Sequence, residues 1–160
     1  MPQLSLHSPL GPLTLTEEDE AIVSLDWGWG RDQTETPLLC KAREWLDQWM
    51  DSPQGAFPYK LAPYGTDYQK KVWKALYEIP VGETRTYLDI ARQVGDSPRS
   101  VGQATGRNPI PILIPCHRIV GRQNLGGYSG DGGLDDKIWL LEFEGASYPL
   151  FKKTMVNFSL

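Results

Sequence analysis

The residue types best suited to chemistry stand side by side at Cys116 and His117, inside the run Pro-Cys-His-Arg. The apolar residues 112–114 lead into this run, which predicts that the pair lies at the end of a buried segment. A neighbouring histidine and two arginines would lower the pKa of a thiol from about 8.5 toward neutrality and make a thiolate available. The pattern therefore indicates a nucleophilic cysteine, against the alternative that Cys116 is a small buried apolar residue.

A base at His117 would need an acid to orient it, and Glu144 is the candidate. This acid follows a helix predicted over residues 134–143, whose Ile138 and Leu141 are expected to face inward. A cysteine, a histidine and an acid form the general arrangement that activates a thiol. From the residues alone, a solvated helix end is the favoured interpretation of Glu144.

A glycine-rich segment connects these elements, with six glycines among residues 121–133. It carries neither a phosphate-loop lysine pattern nor a dinucleotide-binding fingerprint. Because glycine lets a backbone come close to a ligand, we expect a flexible loop with Tyr128 as a candidate pocket wall. The second cysteine, Cys40, falls opposite the apolar stripe of its predicted helix and is expected to be an incidental, partly exposed thiol.

The elements that must position these residues begin with a small α/β unit. Apolar and polar residues alternate over residues 4–7, 13–16 and 21–27, which predicts antiparallel strands with one buried face. Residues 36–50 change to a helical period, and we expect this helix to cover the sheet.

A boundary follows at residues 51–65, which hold three prolines and two glycines without periodicity. The sequence contains no repeats and no low-complexity tracts. The predicted organisation is an N-terminal α/β domain over 1–51, a linker over 52–65, and a second, mostly α-helical domain over 66–160 that contains a winged helix-turn-helix.

Two short helices make the helix-turn-helix candidate. One is predicted over residues 87–94. The other begins after Ser97, a good N-cap followed by proline, and runs to about residue 106. The second helix exposes small residues beside Arg99 and Arg107, so its backbone could approach a groove wall while the arginines contact phosphate. Two core helices joined by a tight turn would give the same local pattern.

Charge and composition exclude several classes of protein. The 160 residues carry a net charge of −4, but residues 69–122 hold nine basic and four acidic side chains, a net of +5. Any polyanionic partner is therefore expected at that segment. Two cysteines and two histidines, scattered over more than a hundred residues with only Cys116 and His117 adjacent, disfavour a disulfide scaffold and a structural zinc. No apolar stretch approaches the roughly 20 residues of a bilayer span, so we expect a cytoplasmic protein without a membrane partner.

Four runs of residues closely resemble the O6-alkylguanine-DNA alkyltransferases, also called methylated-DNA–protein-cysteine methyltransferases. They are Arg99-Ser-Val-Gly, Asn108-Pro-Ile-Pro-Ile-Leu-Ile-Pro-Cys-His-Arg-Ile-Val-Gly121, Gly127-Tyr-Ser-Gly130 and Trp139-Leu-Leu-Glu-Phe-Glu-Gly145. The resemblance covers roughly residues 64–147, and the N-terminal part is similar to the family only in layout. Some members hold a zinc on N-terminal Cys and His residues. With only Cys40 and His7 in that part, no metal is expected.

The resemblance implies a DNA repair enzyme that acts once, by direct reversal. Cys116 would attack the alkyl carbon on O6 of a damaged guanine and keep the group as a thioether, with O4-alkylthymine as a second candidate substrate. The family uses the residue matching His117 to deprotonate the cysteine through a water, and the residue matching Glu144 to orient the imidazole. No cofactor is implied. A monomer is expected, with cooperative binding along DNA left open, and it would be associated with the nucleoid if the source is a bacterium or lie in the nucleus if it is a eukaryote.

The implied partner is double-stranded DNA containing O6-alkylguanine, bound through the minor groove with the target nucleotide flipped out. Arg99 would replace the flipped base in the stack, and Tyr87 would help turn the nucleotide out and donate to the guanine ring. Asn108, predicted at both the DNA surface and the pocket, would tie the recognition helix to the active-site strand. The remaining predicted contacts are Ser100, Gly102 and Gln103 on DNA, and Tyr128 with the Ser129 backbone N–H in the pocket.

Two other functions stay open at the level of sequence. One is an alkyltransferase-like protein that binds lesions without transfer. Such relatives replace the nucleophile, often with tryptophan, whereas Cys116 is present here. The other is a winged-helix regulator that reads DNA sequence through residues 66–107. It would require side chains able to read base edges, and the predicted face offers mainly small residues and arginine.

Overall fold

The computed structural model describes residues 1–122, 124–128 and 132–146. Three antiparallel strands and a helix come first and a helical part follows, so the expected fold class is confirmed. The elements are β1 (Gln3–Leu6), β2 (Leu13–Glu18), β3 (Ala21–Trp27), α1 (Pro37–Trp49), α2 (Asp67–Tyr77), β4 (Arg85–Thr86), α3 (Tyr87–Val94), α4 (Pro98–Gly106), β5 (Ile119–Val120) and α5 (Leu134–Phe143). None of the described helices is long and apolar enough to cross a bilayer.

The N-terminal sheet has the order β1-β2-β3, and its inner face carries the apolar residues of the alternating pattern. Leu15 at the centre is fully buried and pairs with Leu25, and α1 packs against the sheet. The opposite, polar face of the sheet is also buried, whereas the sequence predicts one buried face only. Gly30 N donates to the hydroxyls of Ser5 and Thr14, each at 3.0 Å, because the chain after β3 folds back over this face.

The first two helices begin at threonines that satisfy their first backbone N–H groups. Thr36 Oγ1 accepts a hydrogen bond from Leu39 N at 3.0 Å at the start of α1. At the start of α2, Thr66 and Gln69 form a reciprocal capping box. The first of these helices therefore occupies the range that its apolar period predicts over residues 36–50.

The two predicted domains share a continuous core in the described residues. Ile22 in β3 forms a β-bridge with Leu61 in the predicted linker. Leu25 N donates to Pro109 O at 3.0 Å, on the segment that leads to Cys116. These contacts hold the sheet against the reactive segment, while the division at residues 52–65 stays a prediction.

The helix-turn-helix lies where the sequence predicts it. α3 ends at Gly95, whose φ of 79° is the left-handed conformation that favours glycine at a helix C-terminus. Ser97 Oγ accepts from Ser100 N at 3.1 Å and caps α4. Trp73 Nε1 donates to Ala104 O at 2.8 Å, which fixes α4 against α2.

Two short strands bring the reactive segment beside the helix-turn-helix. β4 pairs in parallel with β5, with Arg85 opposite Ile119 and Thr86 opposite Val120. Because α3 begins directly after β4, its first residue lies close to the chain that follows Cys116.

The last helix corrects one expectation. α5 has the predicted bounds and buries Leu141, but Ile138 is only half-buried. Lys137 takes an inward position and has no exposed surface. A lysine in an amphipathic pattern is normally assigned to the solvent face, so this inward position could not be predicted from hydrophobic periodicity.

Candidate active site

A tight turn held by Asn108 delivers the nucleophile. Asn108 is buried; its Nδ2 donates to Ile114 O at 2.9 Å and its Oδ1 accepts from Ile110 N at 3.0 Å. Within the turn, Ile112 has a φ of 72°, a conformation that costs a β-branched residue about 1–3 kcal/mol. Because the surrounding packing maintains this strain, the turn has one defined shape, which ends at the short 3₁₀ helix Cys116–Arg118.

The Cys116 thiol is buried, at 2% exposure, and burial raises its pKa to about 11. A hydrogen bond from the Asn108 side chain and the charge of Lys137 lower the pKa without offsetting burial. Burial therefore opposes the expectation that nearby arginines lower the pKa of this thiol toward neutrality. Arg118 is bound to Glu144 instead, so its charge is not directed at the thiol. The thiolate must form by transfer of its proton to a base.

His117, Arg118 and Glu144 form a buried network. His117 Nε2 lies 2.9 Å from Glu144 Oε2, and since a carboxylate only accepts, Nε2 carries the hydrogen. Arg118 Nε donates to Oε1 at 3.0 Å and Nη2 donates to Oε2 at 2.6 Å, while Nη1 donates to Ile79 O at 2.6 Å. The Glu144 side chain has no exposed surface, so it is not a solvated helix end.

The electrostatics of this network favour a neutral imidazole beside an ionised carboxylate. Burial lowers the pKa of His117 below its ordinary value, and Glu144 only partly offsets this effect. Burial raises the pKa of Glu144, but hydrogen bonds from His117 and Arg118 outweigh it and leave the pKa lowered. With the hydrogen on Nε2, the His117 Nδ1 lone pair is uncommitted, and among the described residues Nδ1 has no partner. A neutral histidine next to a thiol can act as a general base.

An open cleft of about 820 Å³ lies between α4 and the glycine-rich loop. Its lining residues are Tyr87, Leu88, Pro98, Arg99, Gly102, Gly121, Arg122 and Asn124. Burial raises the pKa of the Tyr87 hydroxyl, and a hydrogen bond from the Gly127 backbone lowers it. Negative charge on Cys116 would raise this pKa further, so Tyr87 lies between the cleft and the thiol. Gly126 has a φ of 71°, and a Cβ there would strike the Tyr87 hydroxyl, so this position requires glycine.

The α4 residues predicted to contact DNA divide between two clefts. Arg99 is exposed and, with Gly102, lines the cleft beside Tyr87. Ser100 and Gln103 line a second cleft of about 670 Å³ on the α2 side, to which Gly102 also contributes. One helix thus presents its small residues to two adjoining surfaces.

The predicted pocket residues have three different positions. Asn108 is 6% exposed and bonded to the segment before Cys116 through both amide atoms, in keeping with the predicted tie, while little of its surface is left for the predicted DNA contact. Tyr128 lies edge-on to Trp27 with ring centroids 6.1 Å apart, and burial raises its pKa well above the ordinary value. Ser129 lies outside the described residues, so the contact expected from its backbone N–H stays a prediction.

Three basic residues belong to the site although their positions were not predicted. Arg118 holds the carboxylate that orients the base, and its adjacency to His117 was the available signal. Lys137 Nζ donates to Ile119 O at 2.7 Å, and no sequence signal pointed to it. Arg122 is exposed on the same cleft as Arg99 and appeared only as part of the basic segment.

The soft metal ligands of the chain are dispersed. In the ranges that the structure describes, no three Cys, His, Asp or Glu side chains come close enough to hold a metal ion. His7 stacks on Trp29 with ring centroids 4.7 Å apart, and Cys40 is half-buried in α1. Cys116 and His117 are both part of the buried site.

Comparison with known proteins gives a consistent set of relatives. The family model described as "6-O-methylguanine DNA methyltransferase, DNA binding domain" matches residues 67–146. A methylated-DNA–protein-cysteine methyltransferase of Methanosarcina barkeri is 43% identical over 87% of this chain and 94% of the relative. The constitutive enzyme of that name from Bacillus subtilis is 40% identical over 89% of this chain and 94% of the relative.

Solved structures agree with these sequence relatives. Mycobacterium tuberculosis OGT in complex with DNA superposes with a TM-score of 0.80 and 38% identity, covering 91% of this chain and 93% of that one. An O6-methylguanine DNA methyltransferase from Methanococcus jannaschii gives a TM-score of 0.66 and 28% identity, covering 91% and 95%. The similarity therefore includes the N-terminal sheet as well as the helical part.

Proposed function

Because the chain belongs to the 6-O-methylguanine DNA methyltransferase family, we propose that Cys116 accepts the alkyl group in a single-turnover repair of O6-alkylguanine. The chain is a methylated-DNA–protein-cysteine methyltransferase, which repairs DNA by direct alkyl transfer. The assignment to Cys116 rests on its burial beside a neutral histidine whose tautomer is set by a buried carboxylate. Cys40, the other cysteine, lies in α1 of the N-terminal unit.

The transfer step balances with the groups present. His117 Nδ1 takes the Cys116 proton, directly or through a water, and Sγ attacks the alkyl carbon as the bond to O6 breaks. The electron pair of that bond stays on the guanine, and the Tyr87 hydroxyl donates a proton to the ring. The proton held by His117 then restores the phenol. The product is a thioether, which water does not cleave, so each chain acts once.

Glu144 is assigned the role of holding the imidazole in the tautomer that accepts at Nδ1. It also stabilises the imidazolium that forms when the thiol loses its proton, as an acid partner does in an activated-thiol site. Arg118 keeps this carboxylate ionised and fixed. A correctly placed general base contributes about 10²–10⁴ in rate, so this network accounts for a large part of the chemistry.

The partner is DNA, in keeping with the matched DNA-binding domain and the DNA complex of the mycobacterial relative. We assign α4 to the minor groove, where Gly102 has no side chain to keep the backbone away. The lesion nucleotide would enter the cleft beside Tyr87, and Arg99 would fill the space it leaves. Extrusion costs a few kcal/mol, which the arginine in the stack offsets. A monomer presents one such cleft, enough for one lesion.

The test is intact-protein mass spectrometry after mixing with a duplex that contains one O6-methylguanine. We expect a gain of one CH₂, mapped to Cys116 by peptide digestion and saturating at one per chain. Cys116→Ala should show no gain while binding DNA normally, and Cys40→Ala should behave as wild type. A gain on another residue would overturn the assignment. No gain with lesion binding retained would support the lesion-binding alternative.

A further inference from the structure

A lysine without exposed surface lies at the centre of the site. Lys137 Nζ donates to Ile119 O at 2.7 Å and to Gly127 O at 3.1 Å, and the residue is 0% exposed. Among the described residues, no carboxylate forms an ion pair with it. Carbonyl dipoles stabilise an ammonium without neutralising it, and a buried charge is costly unless an opposite charge is near.

The charges around the thiol balance when the thiol is ionised. Tyr87 on α3, Tyr128 in the loop and Lys137 on α5 interact electrostatically with the thiol, and His117, Arg118 and Glu144 form the network described above. Asp136, next to Lys137, raises the pKa of Tyr128 and accepts from Gly132 N at 3.1 Å, but its charge shifts the pKa of neither Cys116 nor Lys137. The arginine and the glutamate neutralise each other, and the imidazole and both phenols are neutral. Within this set Lys137 is left as a positive charge without a counter-charge, and a Cys116 thiolate would supply one.

The two groups affect each other's ionisation in the direction that this balance requires. Burial lowers the pKa of Lys137 to about 8, and a charged Cys116 raises it. Burial raises the pKa of Cys116 to about 11, and Lys137 lowers it. Each charge is therefore more stable when the other is present.

We propose that Lys137 is a positioning residue whose buried ammonium is the counter-ion of the Cys116 thiolate, an inference that rests on the transfer function assigned to Cys116. His117 removes the thiol proton, and Lys137 stabilises the anion that results. The same ammonium joins Ile119, on the strand after the nucleophile, to Gly127, on the loop that carries Tyr128. One side chain thus supplies charge to the nucleophile and holds the two walls around it.

The test measures how the transfer rate depends on pH, in a Cys40→Ser background so that only Cys116 can react. The probe is free O6-benzylguanine, which requires no DNA binding. Lys137→Gln keeps a hydrogen-bond donor but removes the charge. It should raise the pH midpoint of the rate by about one unit or more and slow transfer at pH 7 by about tenfold or more. Lys137→Arg keeps the charge and should keep the midpoint, as should Lys41→Gln on the exposed face of α1.

A lysine that served only to join two backbone segments would give a different result. Lys137→Gln would then lower the unfolding temperature and leave the midpoint at the wild-type value, and that outcome would overturn the proposal. Failure of the transfer assignment would be distinct, because the wild-type chain would gain no benzyl group on Cys116 at any pH.

A second pair of variants leaves Lys137 in place, so the test does not depend on whether Lys137→Gln folds. Cys116→Asp and Cys116→Asn introduce side chains of nearly equal size that differ in charge. If Lys137 compensates a negative charge at this position, the two variants should unfold at about the same temperature at pH 7. A clearly lower unfolding temperature for the aspartate variant, recovered at acidic pH, would contradict the proposal.

Discussion

Two regions of this active site are built in opposite ways. The buried cluster consists of Cys116, His117, Arg118, Lys137 and Glu144, all at most 8% exposed. The three basic side chains of the cluster are bonded to Glu144 or to backbone carbonyls. The cleft that we assign to DNA, lined by Tyr87, Arg99, Gly102 and Arg122 among others, is open, and its two arginines are exposed. Proton transfer requires one tautomer and one geometry, which burial fixes. DNA supplies its own shape, so the cleft needs only small residues and positive charge.

The difference can be measured with two substrates. On the proposed function, a free O6-alkylguanine base would need only the buried cluster, whereas a lesion in duplex DNA would also need the cleft for binding and extrusion. Variants of the buried cluster should therefore slow both reactions by the same factor. Variants of the cleft should slow only the duplex reaction, and any residue that breaks this division would show that the two regions are coupled.

The largest effect is expected for Glu144→Gln. The amide cannot balance Arg118 or stabilise an imidazolium, so transfer should fall by about 10²–10⁴ on both substrates. Leaving Arg118 as an unpaired buried charge should also lower the free energy of unfolding by about 3–5 kcal/mol. Single-turnover rates and urea unfolding measure the two effects, and activity is compared at a temperature where the variant is folded.

Glu142→Gln is the matched control, because Glu142 is exposed on the same helix. It should retain wild-type rates and stability. If Glu144→Gln slowed only the reaction with duplex DNA, the carboxylate would act on DNA binding and not on the general base His117. The separation of the two regions would then fail.

The members of the buried cluster differ in how well they could be predicted from the sequence. Cys116 and His117 are adjacent, so their pairing could be proposed from the chain itself. Glu144 is 27 residues from His117, and only the family resemblance favoured it over a solvated helix end. Lys137 was not predicted, since its burial depends on two carbonyl acceptors brought together by tertiary folding. The burial that opposes the expected lowering of the thiol pKa depends on packing that periodicity does not describe.

A smaller effect, confined to duplex DNA, is expected for Arg99→Ala. Without a side chain to occupy the stack, extrusion of the lesion nucleotide loses part of its compensation, and repair should slow by about 10–100-fold. The rate with the free base should be unchanged. Arg92→Ala is the control, since Arg92 is exposed on α3 within the same basic segment but does not line the cleft. Equal losses on both substrates would refute the role in extrusion.

The helices around the cleft were easier to predict than the site they form. Ser97 followed by proline marks the start of α4, and Gly95 marks the end of α3, because caps and breakers act locally. The division of α4 between two clefts depends instead on where α2 and the glycine-rich loop pack. A single helix pattern therefore gives the exposed residues but not the surface to which each belongs.

An effect of intermediate size is expected in the pH dependence of the free energy of unfolding, and it should arise from the buried cluster alone. Burial lowers the pKa of His117 in the folded state, so the unfolded chain binds a proton first as the pH falls below about 6.5. Stability should therefore decrease between pH 7.5 and 5.5 by up to about 1.4 kcal/mol, measured by urea unfolding. Glu144, with its lowered pKa, adds a further loss only below about pH 4.5.

The two histidines of the chain provide the control for this effect. His117→Asn should remove the loss between pH 7.5 and 5.5, whereas His7→Asn should retain it, since His7 is exposed and stacked on Trp29. A loss that followed His7, or a flat profile in the wild type, would show that His117 is not buried as a neutral base.

The smallest effect is expected for Arg122→Ala, on the lip of the DNA cleft. A turn built by Asn124 presents this arginine: Asn124 O accepts from Gly121 N at 2.8 Å and its Oδ1 accepts from Gly126 N at 2.9 Å. If Arg122 contacts a phosphate, its loss should weaken DNA binding a few-fold regardless of sequence and reduce the salt dependence by about one ion. Arg31→Ala, exposed in the N-terminal unit, should change neither quantity. If the salt dependence of DNA binding were unchanged in Arg122→Ala, Arg122 would not contact phosphate. Phosphate contacts at the cleft would then come from α4 alone.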